Sequence, residues 1–262
     1  MRTFSPGSPF SDYIHCYWLL SAAGVNHPEM VSPVSLDGGL ALVFNLGDPV
    51  LCTVDDSRSV RMEGDFLVGS LGQHLQVTAT GSLCLFGVSF TPEGLYPFFS
   101  MPPVDLSNLC VEMEEVWELN GLGLAKRIHA AAPGPAGLIQ GFETFFVQRI
   151  AAFRAHSRHL ERAVALIRAS QGNILVGRVA ECLQLSSRQL ERTFTKRIGI
   201  PPKQLCRLIR IKQVLRRIQA GEKDLASMAV AAGFFDQAHC CHAFKASTGS
   251  SPGEFLGRAQ GR

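Results

Sequence analysis

At 262 residues, 46% of them hydrophobic and 18% charged, the chain can build two domains with proper cores and lacks the composition of a disordered protein. A net charge of +3 conceals a split: residues 1–153 carry 6 Lys and Arg against 15 Asp and Glu, whereas residues 154–262 carry 19 against 7. Such asymmetry points to a nucleic-acid-binding module joined to a domain with another task, and no uninterrupted apolar run nears the roughly 20 residues that cross a bilayer.

Residues 1–13 lack the apolar stretch of a secretory signal. The eight cysteines (Cys16, Cys52, Cys84, Cys110, Cys182, Cys206, Cys240 and Cys241) include no CxxC pair, and several fall inside apolar patterns. Both features suit a cytoplasmic protein with reduced, buried thiols. Between Tyr13 and Phe90 the chain reads as short strands. Residues 40–46 form a buried-strand candidate between Asp37-Gly38-Gly39 and Gly47-Asp48-Pro49, and residues 65–68, 75–78 and 83–90 follow, separated by glycines. Short strands with Gly and Asp turns predict a β-sandwich or barrel.

Enzyme chemistry finds little support in this half. A metal site would need three or four convergent ligands, yet His15, His27, His74 and His129 are scattered and form no HxH pair. No GxSxG elbow, P-loop or GxGxxG fingerprint occurs, so no catalytic residue and no cofactor is expected. Tyr17, Trp18, Phe44 and Phe86 read as core rather than as an aromatic cage, although a β-barrel mouth could still hold a small molecule.

Residues 113–132 have a helical pattern, with Glu112, Glu114, Glu115 and Glu118 near the start, where the helix dipole favours anions. The run 131–137, rich in Ala, Pro and Gly, breaks it. Leu138, Phe142, Phe145, Phe146, Ile150 and Phe153 then make a wide apolar stripe, suited to packing on the N-terminal core or, alternatively, to a dimer contact. His156 and His159 lack a third ligand nearby and read as surface residues. The domain plan is therefore 1–132 as a β-rich sensor or dimerisation domain, 133–156 as linker and connecting helix, and 157–262 as a helical domain.

That helical domain contains one unit twice, over residues 176–205 and 225–255. With one extra residue in the second turn, Ala180 falls on Ala229, Ser186 on Asp236, Phe194 on Phe244, Gly199 on Gly249 and Pro202 on Pro252. Each copy reads as helix, tight turn, helix. Val176, Val179, Ala180 and Leu183 form an apolar stripe; Ser186 offers an N-cap with Gln189 completing a capping box; Leu190, Phe194 and Ile198 give the second helix its buried face; Gly199 suits the left-handed terminus. This is a helix-turn-helix, whose second helix can lie in a DNA major groove. Residues 201–220 between the copies predict a helix of about 30 Å with Leu205, Leu208, Ile211, Leu215 and Ile218 on one side, close to the roughly 34 Å of one DNA turn.

The residues Leu185-Ser186-Ser187-Arg188-Gln189-Leu190 through Phe194 and Gly199, Arg210, and Ala232-Gly233-Phe234-Phe235-Asp236 through Phe244-Lys245, Gly249 and Ser251-Pro252 resemble the AraC/XylS family of bacterial transcription regulators. The resemblance covers about residues 158–256 and implies two helix-turn-helix units joined by a long helix. A shorter likeness, over Ile14-His15-Cys16-Tyr17-Trp18, Leu36-Asp37-Gly38-Gly39 and 43–49, is to the β-rich N-terminal domain of a subset of that family. It implies a cupin-like sensing or dimerisation domain. The fold class expected is α+β.

Because Leu190 and Phe194 face inward, Ser187, Arg188, Glu191, Arg192 and Thr195 should face outward. Arg188 and Arg192 suit guanine and Glu191 suits cytosine, and the resemblance puts base-reading residues at the same positions. Lys196, Arg197, Lys203, Arg207 and Lys245 are candidates for phosphate contacts. In the second unit Gln237, Ala238, His239, Cys241 and His242 form the outward face, with Gln237, His239, Cys241 and His242 the candidate readers. Here the chain departs from the family, with Cys240 where an aromatic is usual and His242 where Arg is usual, so weaker or shape-based reading is expected. Adjacent cysteines diverge by about 100° on a helix and cannot converge with His239 and His242 on one metal.

The expected function is a sequence-specific DNA-binding transcription regulator. Its expected partners are double-stranded DNA, an unidentified small-molecule effector, RNA polymerase and a second copy of the chain, without a membrane. The alternative is an enzyme or small-molecule-binding domain tethered to DNA by a non-specific helical module.

Overall fold

The computed structural model describes residues 1–22, 40–54, 58–69, 75–92, 103–106, 109–132, 134–153 and 158–260. His27, His74, His156 and the Leu36-Asp37-Gly38-Gly39 segment lie outside the described residues. The N-terminal strands are β1 (Arg2–Phe4), β2 (Ile14–Ala22), β3 (Ala41–Asn45), β4 (Val50–Val54), β5 (Arg58–Met62), β6 (Phe66–Val68), β7 (Leu75–Ala79), β8 (Leu83–Phe90) and β9 (Cys110–Glu112). They form a six-stranded sheet in the order β1-β2-β8-β3-β6-β9 and a three-stranded sheet in the order β5-β4-β7, with antiparallel neighbours throughout. The predicted β-rich sandwich is thus present.

Strand alternation sorts the side chains into two cores. Trp18, Leu20, Val43, Phe66, Val68 and Leu85 point between the sheets, where they meet Val50, Cys52, Met62, Leu75 and Val77. Tyr17, Leu42, Phe44, Phe86, Val88 and Phe90 point the other way, onto α1 (Met113–His129) and α2 (Pro135–Phe153). Strand β3 is buried on both faces, which explains its unbroken apolar run. Leu138, Phe142 and Phe146 of α2 join this second core, so the stripe packs on the sheet. The Tyr17 hydroxyl donates to Glu143 Oε1 at 3.0 Å, and burial raises the phenol pKa, keeping it protonated.

The C-terminal helices are α3 (Arg158–Ala169), α4 (Val176–Cys182), α5 (Ser187–Ile198), α6 (Pro202–Gln219), α7 (Leu225–Ala231), α8 (Gln237–Thr248) and α9 (Pro252–Gln260). One core gathers α3, α4, α5 and Leu205, Cys206 and Leu208 of α6. The other gathers α7, α8 and Ile211, Val214 and Ile218 of α6. Val214 is fully buried and Leu215 only partly, a shift from the face expected, because two cores grip α6 from different directions.

Strand pairing sets Trp18 opposite Gly87, and the indole lies where a Cβ on Gly87 would stand. Its Nε1 donates to Ser89 Oγ at 3.1 Å, which fixes the ring in place. Gly87→Ala is therefore expected to overpack this layer and cost about 1–3 kcal/mol, read as a lower urea midpoint with unchanged slope. An unchanged midpoint would show that the indole can move aside.

Candidate nucleic-acid interface

The second helices of the two units, α5 and α8, start and stop by the same local chemistry. The amide of Gln189 donates to Ser186 Oγ at 3.2 Å, while Ser186 N donates to Gln189 Oε1 at 2.9 Å, completing the capping box. Asp236 caps α8 by accepting from His239 N at 2.7 Å. Each helix ends on a left-handed glycine, Gly199 at φ 92° and Gly249 at φ 76°. The turns match as well. Leu185 N bonds to Ala180 O and Phe234 N to Ala229 O, with Gln184 and Gly233 both at positive φ.

That alignment identifies the extra residue of the second turn as Phe235. It is 90% exposed and stands immediately before the cap of α8. Helical periodicity carries no signal for Phe235, because it belongs to neither helix.

The outer faces of α5 and α8 carry most of the side chains expected there. Ser187, Arg188, Glu191 and Arg192 are exposed on α5, opposite buried Leu190, Phe194 and Ile198. On α8, Gln237, Ala238, His239 and His242 are exposed and Cys241 is half-buried, with Cys240, Ala243 and Phe244 in the core. Thr195 is half-buried. Among the cations, Lys196, Lys203 and Lys245 are exposed, whereas Arg197 and Arg207 are half-buried and Arg207 Nε is enclosed. Burial pushes the Cys240 thiol up to about 11, with Cys241 adding to the shift, so Cys240 stays protonated at neutral pH. Thiol burial is uneven across the chain: Cys52, Cys110, Cys206 and Cys240 are buried, but Cys182 is exposed and Cys16, Cys84 and Cys241 lie between.

Contacts with the N-terminal domain run along the helical domain. The turn Pro103–Leu106 lies against α5. A cleft of about 540 Å³ separates β2 from α3 and α6, lined among others by Ile14, His15, Arg168, Ile209, Lys212 and Arg216. Its described lining holds three cations and no carboxylate. Lys212 Nζ is 3.3 Å from His15 Nε2. Sequence reading missed this cleft, since its residues come from three distant elements; the i,i+4 pair Lys212 and Arg216 was the one local sign. His129 instead pairs with Asp65, at 3.0 Å, and burial of Asp65 raises its pKa. Among the described residues, no group of three or more His, Cys, Asp or Glu is placed to hold a metal.

The model of a helix-turn-helix domain family matches residues 179–258. Residues 179–258 form an AraC-type helix-turn-helix domain. Residues 2–112 match a family described as a domain of unknown function, DUF6597. That match spans the strands β1 to β9. No curated protein matches the chain in sequence.

Two solved structures of ToxT from Vibrio cholerae are similar over nearly the whole length. One shares 11% identity over 92% of this chain and 97% of that one, with a TM-score of 0.52. The other, from strain O395 and bound to (E)-4-(8-methylnaphthalen-1-yl)but-3-enoic acid, shares 11% over 93% and 98%, also at 0.52. The C-terminal domain of AraT, a response regulator from Geobacillus stearothermophilus, is 26% identical over 40% of this chain and 88% of that one, at 0.37. The ToxT likeness shows the fold: β-rich sheets followed by a helical domain. No helix among the described residues is long and apolar enough to cross a membrane.

Loss of a capping hydroxyl typically costs about 0.5–2 kcal/mol, so Ser186→Ala should lower stability by that amount and fray the start of α5. Chemical denaturation, with amide exchange at 187–189, would read both effects. Unchanged protection there would show that the Gln189 side chain caps the helix unaided.

Proposed function

We propose that the chain is a cytoplasmic, sequence-specific DNA-binding transcription regulator with recognition helices α5 and α8 in successive major grooves. A small acidic ligand biases its affinity. The observation that supports this most is the pairing of two capped reading helices on one 18-residue helix, each with polar side chains outward and an apolar face in the core. At 1.5 Å per residue α6 spans about 27 Å, close enough to a DNA turn of roughly 34 Å for both units to face one side of a duplex.

In this reading Arg188 and Arg192 take guanine O6 and N7, and Glu191 accepts from cytosine N4, with Ser187 beside them. Gln237 suits adenine, while His239, Cys241, His242 and the exposed Phe235 supply weaker contacts, Phe235 toward a thymine methyl. Lys196, Lys203 and Lys245 bind phosphates; Arg197 and Arg207, being half-buried, have less reach. Selection from a random DNA pool by the whole chain, at stated salt, tests the reading. A motif of two elements about one helical turn apart is expected. No enrichment would leave only a non-specific tether. On the selected site Arg192→Ala should cost about 1–3 kcal/mol and relax discrimination; an equal loss on random duplexes would reduce Arg192 to a phosphate contact.

The ligand site in this proposal is the cleft of His15, Arg168, Lys212 and Arg216, whose described lining carries three cations and no carboxylate and so suits a carboxylate ligand. ToxT has been solved with a naphthyl butenoic acid, which makes that compound a suitable probe. It should raise the melting temperature of this protein and shift its DNA affinity. Lys212→Met with Arg216→Met should abolish both effects. No thermal shift in the parent protein would overturn the cleft as the site.

A further inference from the structure

Two units that share one helix still need something to fix the second against the first, because each core grips a different part of α6. The turn 170–173, which leaves α3 in the first unit, is built to do this. Gln171 and Gly172 both take positive φ, 53° and 79°, and bring the turn onto α6. Gly172 lies so close to the Cys206 carbonyl that a Cβ would overlap it, and Cγ of Arg210 is next to it. Gln213 Nε2 donates to the Gln171 carbonyl at 2.6 Å. Beyond α6, the Asn173 side chain fills the space that a Cβ on Gly233 would need, in the turn of the second unit. Arg210 completes the link: its Nη1 donates to the Gly233 carbonyl at 2.8 Å, and its guanidinium stands 5.0 Å from the centre of the Phe234 ring. Gly233, at φ 81°, is thus held by both Asn173 and Arg210.

We propose that this joint is a spacing clamp. Asn173, Arg210 and Gln213 are positioning residues that hold the two reading helices at one separation, so the protein selects DNA by the distance between two elements as well as by their sequence. The inference rests on the two-groove reading above. One base-pair step moves an element by about 3.4 Å and turns it by about 35°. A rigid joint cannot follow that screw motion, so one helix leaves its groove; a loosened joint can follow it.

The test uses the whole chain and the two-element site that the parent protein selects from a random pool. Affinity is measured on that site, on versions with one base pair added to or removed from the spacer, and on a site carrying the first element alone. The parent protein should lose roughly tenfold or more when the spacer changes. Arg210→Ala, and Asn173→Ala as a second variant that leaves both cores untouched, should lose about threefold or less, with single-element affinity unchanged. Equal spacer penalties in parent and variants would overturn the clamp. So would a parent protein indifferent to spacing, or variants that lose single-element binding to the same degree. If the parent selects no motif at all, the DNA-reading proposal itself fails and takes the clamp with it.

Discussion

Helix α6 belongs to two hydrophobic cores at once, and the helical domain depends on that constraint. Its first half gives Leu205, Cys206 and Leu208 to one core, and its second half gives Ile211, Val214 and Ile218 to the other. Neither unit could bury its short first helix without it: α4 and α7 are seven residues each, far below the length at which an isolated helix is stable in water. The caps at Ser186, Asp224 and Asp236 then fix where each flanking helix begins, so side-chain chemistry sets the direction in which α5 and α8 present their outer faces.

Much of this was legible from residue order because the signals are local. A capping box, a glycine at a left-handed terminus and a proline at the start of α6 each act within a few residues, and the helix runs within one residue of its expected ends. Longer-range features were not legible. Val214 rather than Leu215 is the buried residue near the end of α6, since the helix turns between two cores and a single apolar stripe cannot describe it. The apolar stripe of α2 was legible as a packing face, but its aromatic partners were not: Phe142 and Phe146 meet Tyr17 and Phe90, at least fifty residues earlier. The outer faces of α5 and α8 followed directly from helical period, whereas Phe235 and the cationic cleft depend on an inserted turn residue and on tertiary placement.

The N-terminal sandwich has a filled interior between its described strands, occupied by Trp18, Phe66, Leu85 and their neighbours. The turn at 45–49 is similarly committed to structure. Asn45 Nδ2 donates to the Asp48 carbonyl, Gly47 N donates to Asn45 Oδ1, and Asp48 Oδ2 accepts from Ser82 N. A motif that drew attention in the sequence is therefore a corner of the sheet. The open space described lies on the outside, where β2 faces α3 and α6. Gln171 and Gln213, which line that space, also bond to each other at the joint between the helical units. The cleft and the interunit joint thus share side chains.

Sharing one helix also restricts how such a chain can change length. A residue inserted within α6 between Leu208 and Ile211 would rotate everything after it by about 100° and advance it by about 1.5 Å, taking the second core off its own half of the helix. Insertions are tolerable only where the backbone is already irregular, as in the turn that carries Phe235. The duplicated units can therefore diverge in their turns and outer faces, while the rod between them is held to a fixed count of residues.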